Sequence, residues 1–315
     1  TLDKLESIPG FRTALDPPEF RSILERTGLV LAGQSETLVP ADRRIYALRD
    51  ATGTVPSIPL ISSSIMSKKL AEGLDALVLD VKVGRGAFMK DVASATTLAE
   101  TMVGIGTARG TPVTALLTDM SQPLGDEIGN ANEIAESVAV LRGEGPGDLT
   151  EITYRLGEEM LVMGGITDDR AEARLRLEQS VADGSAFEKL VEVVVAQDGD
   201  PSVLEDPAGL AKAPEEIVVA APRNGYLTRC DALDLGVAAL WLGAGREKKE
   251  DVIDRSVGIT VPVAVGDPVE AGQPLAVLAW ADPAKLDRAM PLVERAFRIG
   301  EEPVEAPPLV YGEVR

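Results

Sequence analysis

Residues 49–69 read RDATGTVPSIPLISSSIMSKK, and this stretch predicts how one helix and its polar face are built. Pro59 can open a helix because its missing N–H costs nothing in the first turn, and Gly73 can end that helix. Ser64 and Lys68 are then one helical turn apart, so both side chains leave the same face. The stretch therefore predicts a helix that presents a hydroxyl and an ammonium together.

The segment 40–53 is predicted to form another short helix, which brings Arg49 close to Ser64 and Lys68. A planar guanidinium, an ammonium and a hydroxyl held together suit a flat ligand with carbonyl oxygens and a ring N–H. The alternative is a solvated helix face on which Lys68 pairs with Glu72, one turn further along. Spacing alone leaves both interpretations open.

The composition describes an acidic, globular chain of 315 residues with 45% hydrophobic residues. The formal charge of −20 argues against nucleic acid and anionic membranes as partners, because both require a basic surface. Cys230 is the single cysteine, which fits a reducing cytosol and predicts a cytoplasmic protein. The sequence contains no histidine, which excludes Ser-His-Asp catalysis and histidine metal sites within these residues.

The order of predicted elements indicates an α/β fold, with a mixed sheet that carries helices on both faces. Residues 29–33 are predicted to form a short buried strand. Residues 76–83 form a near-continuous apolar run, which is typical of a central strand covered on both faces. A helix over about 91–108 and a strand at 111–117 then give a β-α-β order. Residues 130–200 are predicted to form successive helices.

A longer pattern of residue types resembles one protein family. It is carried by three stretches, residues 46–50, 59–73 and 77–89. These closely resemble the thymidine and pyrimidine-nucleoside phosphorylases, and the similarity runs from Thr1 to the C-terminus. The resemblance implies that Arg49, Ser64 and Lys68 hold the pyrimidine base, with Arg49 and Lys68 as the catalytic cations.

The resemblance also implies an apolar wall around the base. The residues at the matching positions are Tyr46, Val55, Ile61 and Phe88. Taken without the resemblance, each of them is more simply interpreted as a core residue, because apolar residues on helix faces usually are.

The chain opens inside the phosphate-binding signature of that family, with Thr1 at the position of its threonine. A helix start also favours an anion through its free N–H groups, although an ordinary threonine N-cap is the alternative. We expect a segment preceding Thr1, which this sequence does not include, to supply the remaining phosphate contacts. Residues 1–315 alone are therefore expected to lack measurable phosphorolysis.

Some members of this family bind potassium through backbone carbonyls and one glutamate. The matching positions are Leu124, Glu127 and Glu136. The family commonly has alanine where this chain has Glu127, a change that a backbone ligand tolerates. Oxygen-only ligands suit a hard cation. The alternative is that Glu136 faces solvent on its helix.

The resemblance divides the chain into four predicted segments. Residues 1–33 start an α/β phosphate-side domain, 34–72 form a helical base-binding segment, 73–214 continue the α/β domain and 215–315 form a small C-terminal α+β domain with a barrel-sandwich-like core. The C-terminal domain resembles biotinyl and lipoyl carrier barrels. Neither 218–228 nor 261–280 contains the lysine that a carrier presents, so a structural role is expected.

The predicted function is phosphorolysis of a pyrimidine nucleoside such as thymidine, which gives thymine and 2-deoxyribose 1-phosphate. Inorganic phosphate is the co-substrate, no cofactor is required, and a homodimer is expected. Two alternatives remain. One is a glycosyltransferase similar to anthranilate phosphoribosyltransferase, and the other is a non-enzymatic binding or carrier module built on the C-terminal barrel.

Overall fold

The computed structural model describes residues 2–33, 39–42, 45, 57–248 and 250–315. The helices, in chain order, are α1 (Leu2–Leu5), α2 (Pro17–Thr27), α3 (Ile58–Ala71), α4 (Val92–Ala108), α5 (Ala131–Leu141), α6 (Gly147–Met163), α7 (Arg170–Ala182), α8 (Ser185–Ala196), α9 (Ser202–Glu205), α10 (Ala232–Ala239) and α11 (Pro283–Ala296). The strands are β1 (Leu77–Val83), β2 (Val113–Asp119), β3 (Glu127–Gly129), β4 (Glu215–Ala220), β5 (Gly225–Cys230), β6 (Gly258–Thr260), β7 (Pro268–Val269), β8 (Pro274–Trp280), β9 (Phe297–Gly300) and β10 (Val310–Val314).

The limits of the first long helices are set by local capping. The side chain of Asp16 accepts from the Glu19 N–H at 2.8 Å, and the Glu19 carboxylate accepts from the Asp16 N–H at 3.2 Å. This reciprocal pair satisfies two backbone donors at the start of α2, which ends at Gly28 with φ 73°. In α3, Pro59 lies in the first turn and Gly73 follows the end with φ 71°. The helix that the sequence predicts from Pro59 to Gly73 is confirmed as α3.

The described chain divides into two compact units. Unit 1 contains the described residues within 1–33, 120–150 and 180–307, and unit 2 contains those within 34–119, 151–179 and 308–315. The four domain limits expected from the sequence stay predictions.

Unit 2 is built on a three-stranded mixed sheet in the order β1-β2-β10. Strands β1 and β2 are parallel and α4 connects them, as the β-α-β order predicted, whereas β10 joins β2 antiparallel. The prediction that 76–83 is a central strand is wrong for the described sheet. Because β10 occupies the far side of β2, β2 is the central and fully buried strand and β1 lies at the edge.

The predicted strand at 29–33 is also wrong. The Leu31 N–H donates to Gln197 Oε1 at 2.9 Å, and the Gln197 side-chain amide donates to the Leu31 carbonyl at 2.8 Å. The Gly33 N–H donates to the Thr13 carbonyl. The side chain of one buried glutamine therefore makes the hydrogen bonds that a neighbouring strand would otherwise make to Leu31. The backbone N–H and carbonyl of Leu31 thus have partners without a sheet.

Unit 1 contains two antiparallel sheets, in the orders β3-β6-β8-β4 and β7-β5-β9. Their inner faces and helices α10 and α11 enclose one apolar core. Helix α10 ends at Ala239 and the chain continues as a wider helical turn over Leu240–Ala244. Trp241 packs against this core, and the Arg288 guanidinium lies 4.2 Å from its ring centre.

The predicted fold class is confirmed as a mixed α/β architecture with a small C-terminal domain. No helix in the described part of the chain is long and apolar enough to cross a membrane.

Candidate functional site

Lys68 and Ser64 form the centre of the candidate site on α3. Lys68 Nζ lies 2.8 Å from Ser64 Oγ, as the spacing of one turn predicted. It also lies 2.6 Å from Asp42 Oδ2, in an ion pair that the sequence did not indicate. Glu72 pairs with Lys69 at 3.1 Å. The alternative in which Lys68 pairs with Glu72 is therefore wrong.

These three side chains are largely removed from solvent. Ser64 is buried, the side chain of Asp42 is 10% exposed and that of Lys68 is 26% exposed. An ammonium has three hydrogens to donate, and two of them are directed at Asp42 and Ser64. Since Ser64 Oγ accepts from Lys68, its own hydrogen is directed elsewhere. The cluster thus presents the positively charged ammonium of Lys68 in a fixed position beside the Ser64 hydroxyl.

The only sequence feature that points to Asp42 as a partner of Lys68 is its place in the segment before α3. It lies in the Pro40-Ala41-Asp42 turn of the segment predicted to pack beside α3, and residues 40–42 are helical. Nothing in the spacing indicates which lysine it faces, because the two residues belong to different segments.

The two described wall residues differ in their surroundings. Ile61 is buried in the core of unit 2, as its core interpretation predicted. Phe88 is 64% exposed, so its interpretation as a core residue is wrong. The loop that carries Phe88 is fastened by Lys90, whose Nζ donates to the carbonyls of Arg85 at 2.8 Å and Ala87 at 2.6 Å. The aromatic ring is therefore available for contact with a ligand.

Four predicted site residues lie outside the described residues. They are the phosphate-contacting Thr1, the base-binding Arg49 and the wall residues Tyr46 and Val55. Their roles stay predictions.

The predicted potassium ligands lie around a buried carboxylate in unit 1. Glu136 Oε1 accepts from the backbone N–H groups of Asp126 at 2.6 Å and Glu127 at 3.1 Å. The carboxylate packs so closely on Gly125 that an added Cβ there would lie 2.7 Å from Glu136 Oε2. Burial raises the pKa of Glu136 to about 7. The alternative in which Glu136 faces solvent is wrong.

The geometry around Glu136 is compatible with a bound cation. The Val261 N–H donates to the Asp126 carbonyl, so these two residues form a hydrogen-bonded pair. Hydrogen-bonded and non-hydrogen-bonded pairs alternate along antiparallel strands, so the backbone N–H and carbonyl of Glu127, in the next pair, point away from β6. Its N–H reaches Glu136, and its carbonyl leaves the strand on the same side. The neighbouring carboxylates of Glu127 and Asp126 raise the pKa of Glu136 further, after burial as the largest cause. A hard cation would compensate this desolvated carboxylate.

The side chain of Glu127 takes no part in that arrangement. Its carboxylate accepts from Asn132 at 2.7 Å and from Thr260 at 2.9 Å, and burial raises its pKa. A role for Glu127 through its backbone alone is consistent with these contacts. Among the described residues, no group of three or more Asp, Glu, Cys or His side chains is placed to hold a metal.

Comparison with known proteins first defines the class. A family model described as "Glycosyl transferase family, a/b domain" matches residues 1–187. A second, described as "Pyrimidine nucleoside phosphorylase C-terminal domain", matches residues 226–300. The chain thus combines a glycosyl transferase α/β region with a phosphorylase C-terminal region.

Individual relatives narrow that class. A pyrimidine-nucleoside phosphorylase of Geobacillus stearothermophilus is 45% identical over 314 residues, which cover 100% of this chain and 72% of the relative. The enzyme of that name in Bacillus subtilis strain 168 is 47% identical over 311 residues, covering 99% and 71%. One from Staphylococcus aureus strain COL is 47% identical over 275 residues, covering 87% and 64%. The chain belongs to the pyrimidine-nucleoside phosphorylase family.

The predicted enzyme class is confirmed by these matches. The chain is a glycosyltransferase of the pentosyltransferase type, and its family acts by nucleoside phosphorolysis with phosphate as co-substrate.

Proposed function

We propose that the Ser64–Lys68 pair of α3 holds the base of a pyrimidine nucleoside during phosphorolysis. The observation that supports this most directly is the 2.8 Å contact between Lys68 Nζ and Ser64 Oγ, which gathers a cation and a hydroxyl at one largely buried point. A pyrimidine ring presents carbonyl oxygens and a ring N–H along one edge, and these are the partners that such groups recognise.

In the proposed reaction an oxygen of inorganic phosphate attacks the anomeric carbon of the nucleoside. The N-glycosidic bond breaks and its electron pair leaves with the base. The products are a free pyrimidine and a pentose 1-phosphate. The sugar becomes oxocarbenium-like in the transition state while negative charge collects on the base.

Lys68 is proposed to stabilise that negative charge. A donor fixed beside the base oxygens interacts more strongly with the transition state than with the neutral nucleoside, and only this difference lowers the barrier. The preformed contacts of Lys68 hold the ammonium in place before the base arrives, so little reorganisation is needed. Arg49 is proposed as the second cation and Thr1 as a phosphate contact, both from the family resemblance.

The test is release of thymine from thymidine by the purified complete enzyme, and not by residues 1–315 alone, followed by absorbance with and without inorganic phosphate. We expect release only with phosphate, together with one equivalent of 2-deoxyribose 1-phosphate. Release of base without phosphate would indicate hydrolysis and would refute the proposal. Parallel assays with uridine would establish whether a ribose 2′-hydroxyl is accepted.

A Ser64→Ala variant is expected to lose about fivefold in kcat/KM, because a neutral hydrogen bond contributes roughly 1 kcal/mol. The loss is smaller than for a charged donor, since Ser64 carries no charge to oppose that of the base. Steady-state kinetics with thymidine at saturating phosphate measures it. Ser67→Ala is the matched control, because Ser67 Oγ donates to the Ser64 carbonyl within the same helix. An equal loss in both variants would contradict the assignment.

We further propose that potassium binds at Glu136 with the carbonyls of Leu124 and Glu127. The buried carboxylate and the direction of the Glu127 carbonyl support this. The ion would hold the segment around Gly125 against α5 by linking both to one charge.

Potassium chloride is expected to raise the thermal unfolding midpoint by about 2 °C relative to tetramethylammonium chloride at equal ionic strength, because an ion that binds only the folded chain stabilises it. Glu136→Gln should abolish this difference. Glu144→Gln, at an exposed residue in the turn beyond the same helix, should preserve it. Equal midpoints for the unsubstituted enzyme in the two salts would refute potassium binding.

Two features remain proposals, namely a homodimeric state and the cytoplasmic location predicted from the single cysteine. Size-exclusion chromatography with light scattering would test the first, with a mass of two chains as the expected result.

A further inference from the structure

We propose that Asp42 is a positioning residue of the active site, which holds the Lys68 ammonium in the orientation needed to stabilise the leaving base. The inference rests on the proposed function of Lys68 and adds a residue that does not itself touch the substrate. Asp42 acts through Lys68 alone in this scheme.

The contact geometry supports this role. Asp42 Oδ2 lies 2.6 Å from Lys68 Nζ, a short distance that is typical of charge-assisted hydrogen bonds. The same ammonium also contacts Ser64 Oγ at 2.8 Å. A lysine chain has four rotatable carbon–carbon bonds, so two fixed partners are needed to confine its charge to one place. Asp42 and Ser64 together provide that confinement.

Burial explains why a carboxylate stands at this position. Removing an ammonium from water is costly unless a counter-charge and hydrogen bonds replace the lost hydration. The side chain of Asp42 is 10% exposed and that of Lys68 is 26% exposed, so solvent screens this pair less than a surface pair. Without the carboxylate, the lysine side chain would be more stable turned toward water and away from Ser64.

The negative charge of Asp42 also has a cost, because it opposes the charge that collects on the base. Asp42 contacts the ammonium of Lys68 directly, so in this proposal it acts on the base through the position of Lys68. Holding a donor in place before the reaction contributes to the rate, since no reorganisation is needed in the transition state. Removal of the carboxylate is therefore expected to slow the reaction.

A double-mutant cycle distinguishes a positioning role from a general structural one. Asp42→Asn keeps the shape of the side chain and removes its charge. We expect kcat/KM for thymidine to fall about tenfold, within the range measured for residues that share one ion-pair network, while KM for phosphate is unchanged. In a Lys68→Met background the same substitution should change kcat/KM by less than about twofold, because nothing remains for Asp42 to position.

Glu72→Gln is the matched control, since it breaks the neighbouring Lys69–Glu72 ion pair of the same helix. It should leave kcat/KM within about twofold of the unsubstituted enzyme. Thermal unfolding followed by circular dichroism reports whether each variant is folded. If Asp42→Asn does not fold, the cycle is measured with Asp42→Glu, whose displaced carboxylate should lower kcat/KM only when Lys68 is present.

The outcomes separate this inference from the proposed function. If Lys68→Met is impaired and Asp42→Asn is not, Asp42 has no positioning role although Lys68 acts as proposed. An equal loss from Asp42→Asn with and without Lys68 also overturns the inference, because the effect would then be independent of the lysine. If Lys68→Met retains full activity, the proposed role of Lys68 fails and the inference fails with it.

Discussion

A Lys68→Met variant is expected to lose about a hundredfold in kcat/KM for thymidine, equivalent to roughly 3 kcal/mol of transition-state stabilisation. Methionine has a similar length and keeps the apolar packing of the lysine stem, but it has no charge and no hydrogen to donate. The largely buried position of Lys68 means that water replaces the lost donor poorly. Negative charge on the leaving base is then stabilised less.

Steady-state kinetics with thymidine at saturating phosphate measures this loss, and we expect most of it in kcat. Lys69→Met is the control, because Lys69 lies next in the chain but pairs with Glu72 and is more exposed. It should remain within about threefold of the unsubstituted enzyme. Equal kinetic constants for Lys68→Met and the unsubstituted enzyme would end the assignment of the base site to this helix face.

Gln197→Met is expected to lower the free energy of unfolding by about 3 kcal/mol, because it leaves several backbone groups without partners. Gln197 is fully buried in unit 1. Its amide donates to the carbonyls of Arg12 and Leu31 at 2.8 Å each, and its carbonyl oxygen accepts from the Leu31 N–H at 2.9 Å. Methionine fills a similar volume, so the loss reports on hydrogen bonds more than on packing.

Urea unfolding with linear extrapolation measures the change in free energy. Gln179→Met is the matched control, because Gln179 is exposed on α7 and should change the stability by less than about 0.5 kcal/mol. The slope against urea should be the same in both variants if the folded and unfolded chains keep their compactness. Equal stabilities for the two variants would show that water satisfies the groups around residue 197.

The parts of the fold that the sequence predicted well depend on neighbours within a few positions. The limits of α3 follow from Pro59 in its first turn and from Gly73 just beyond its end. The Ser64–Lys68 contact follows from the helical repeat alone. Such features need no knowledge of what packs against the helix.

The predictions that failed depend on distant partners. The apolar run at 29–33 has the composition of a strand, but its hydrogen bonds go to Gln197, whose side chain lies 166 positions from Leu31 in the chain. The run at 76–83 does form β1, yet its place at the sheet edge follows from the pairing of β10 with β2 near the C-terminus. Apolar content indicates that a segment is covered, and it does not indicate by what.

The amino-acid sequence by itself determined the helix limits, the shared face of Ser64 and Lys68 and the family to which the chain belongs. Only the tertiary structure decided that Lys68 faces Asp42 and not Glu72, that Phe88 is exposed and that Glu136 is buried. The physical reason is that the partner of a charge and the burial of a side chain depend on which segments pack together. That choice is made by the free energy of the whole fold, and not by the spacing within one helix.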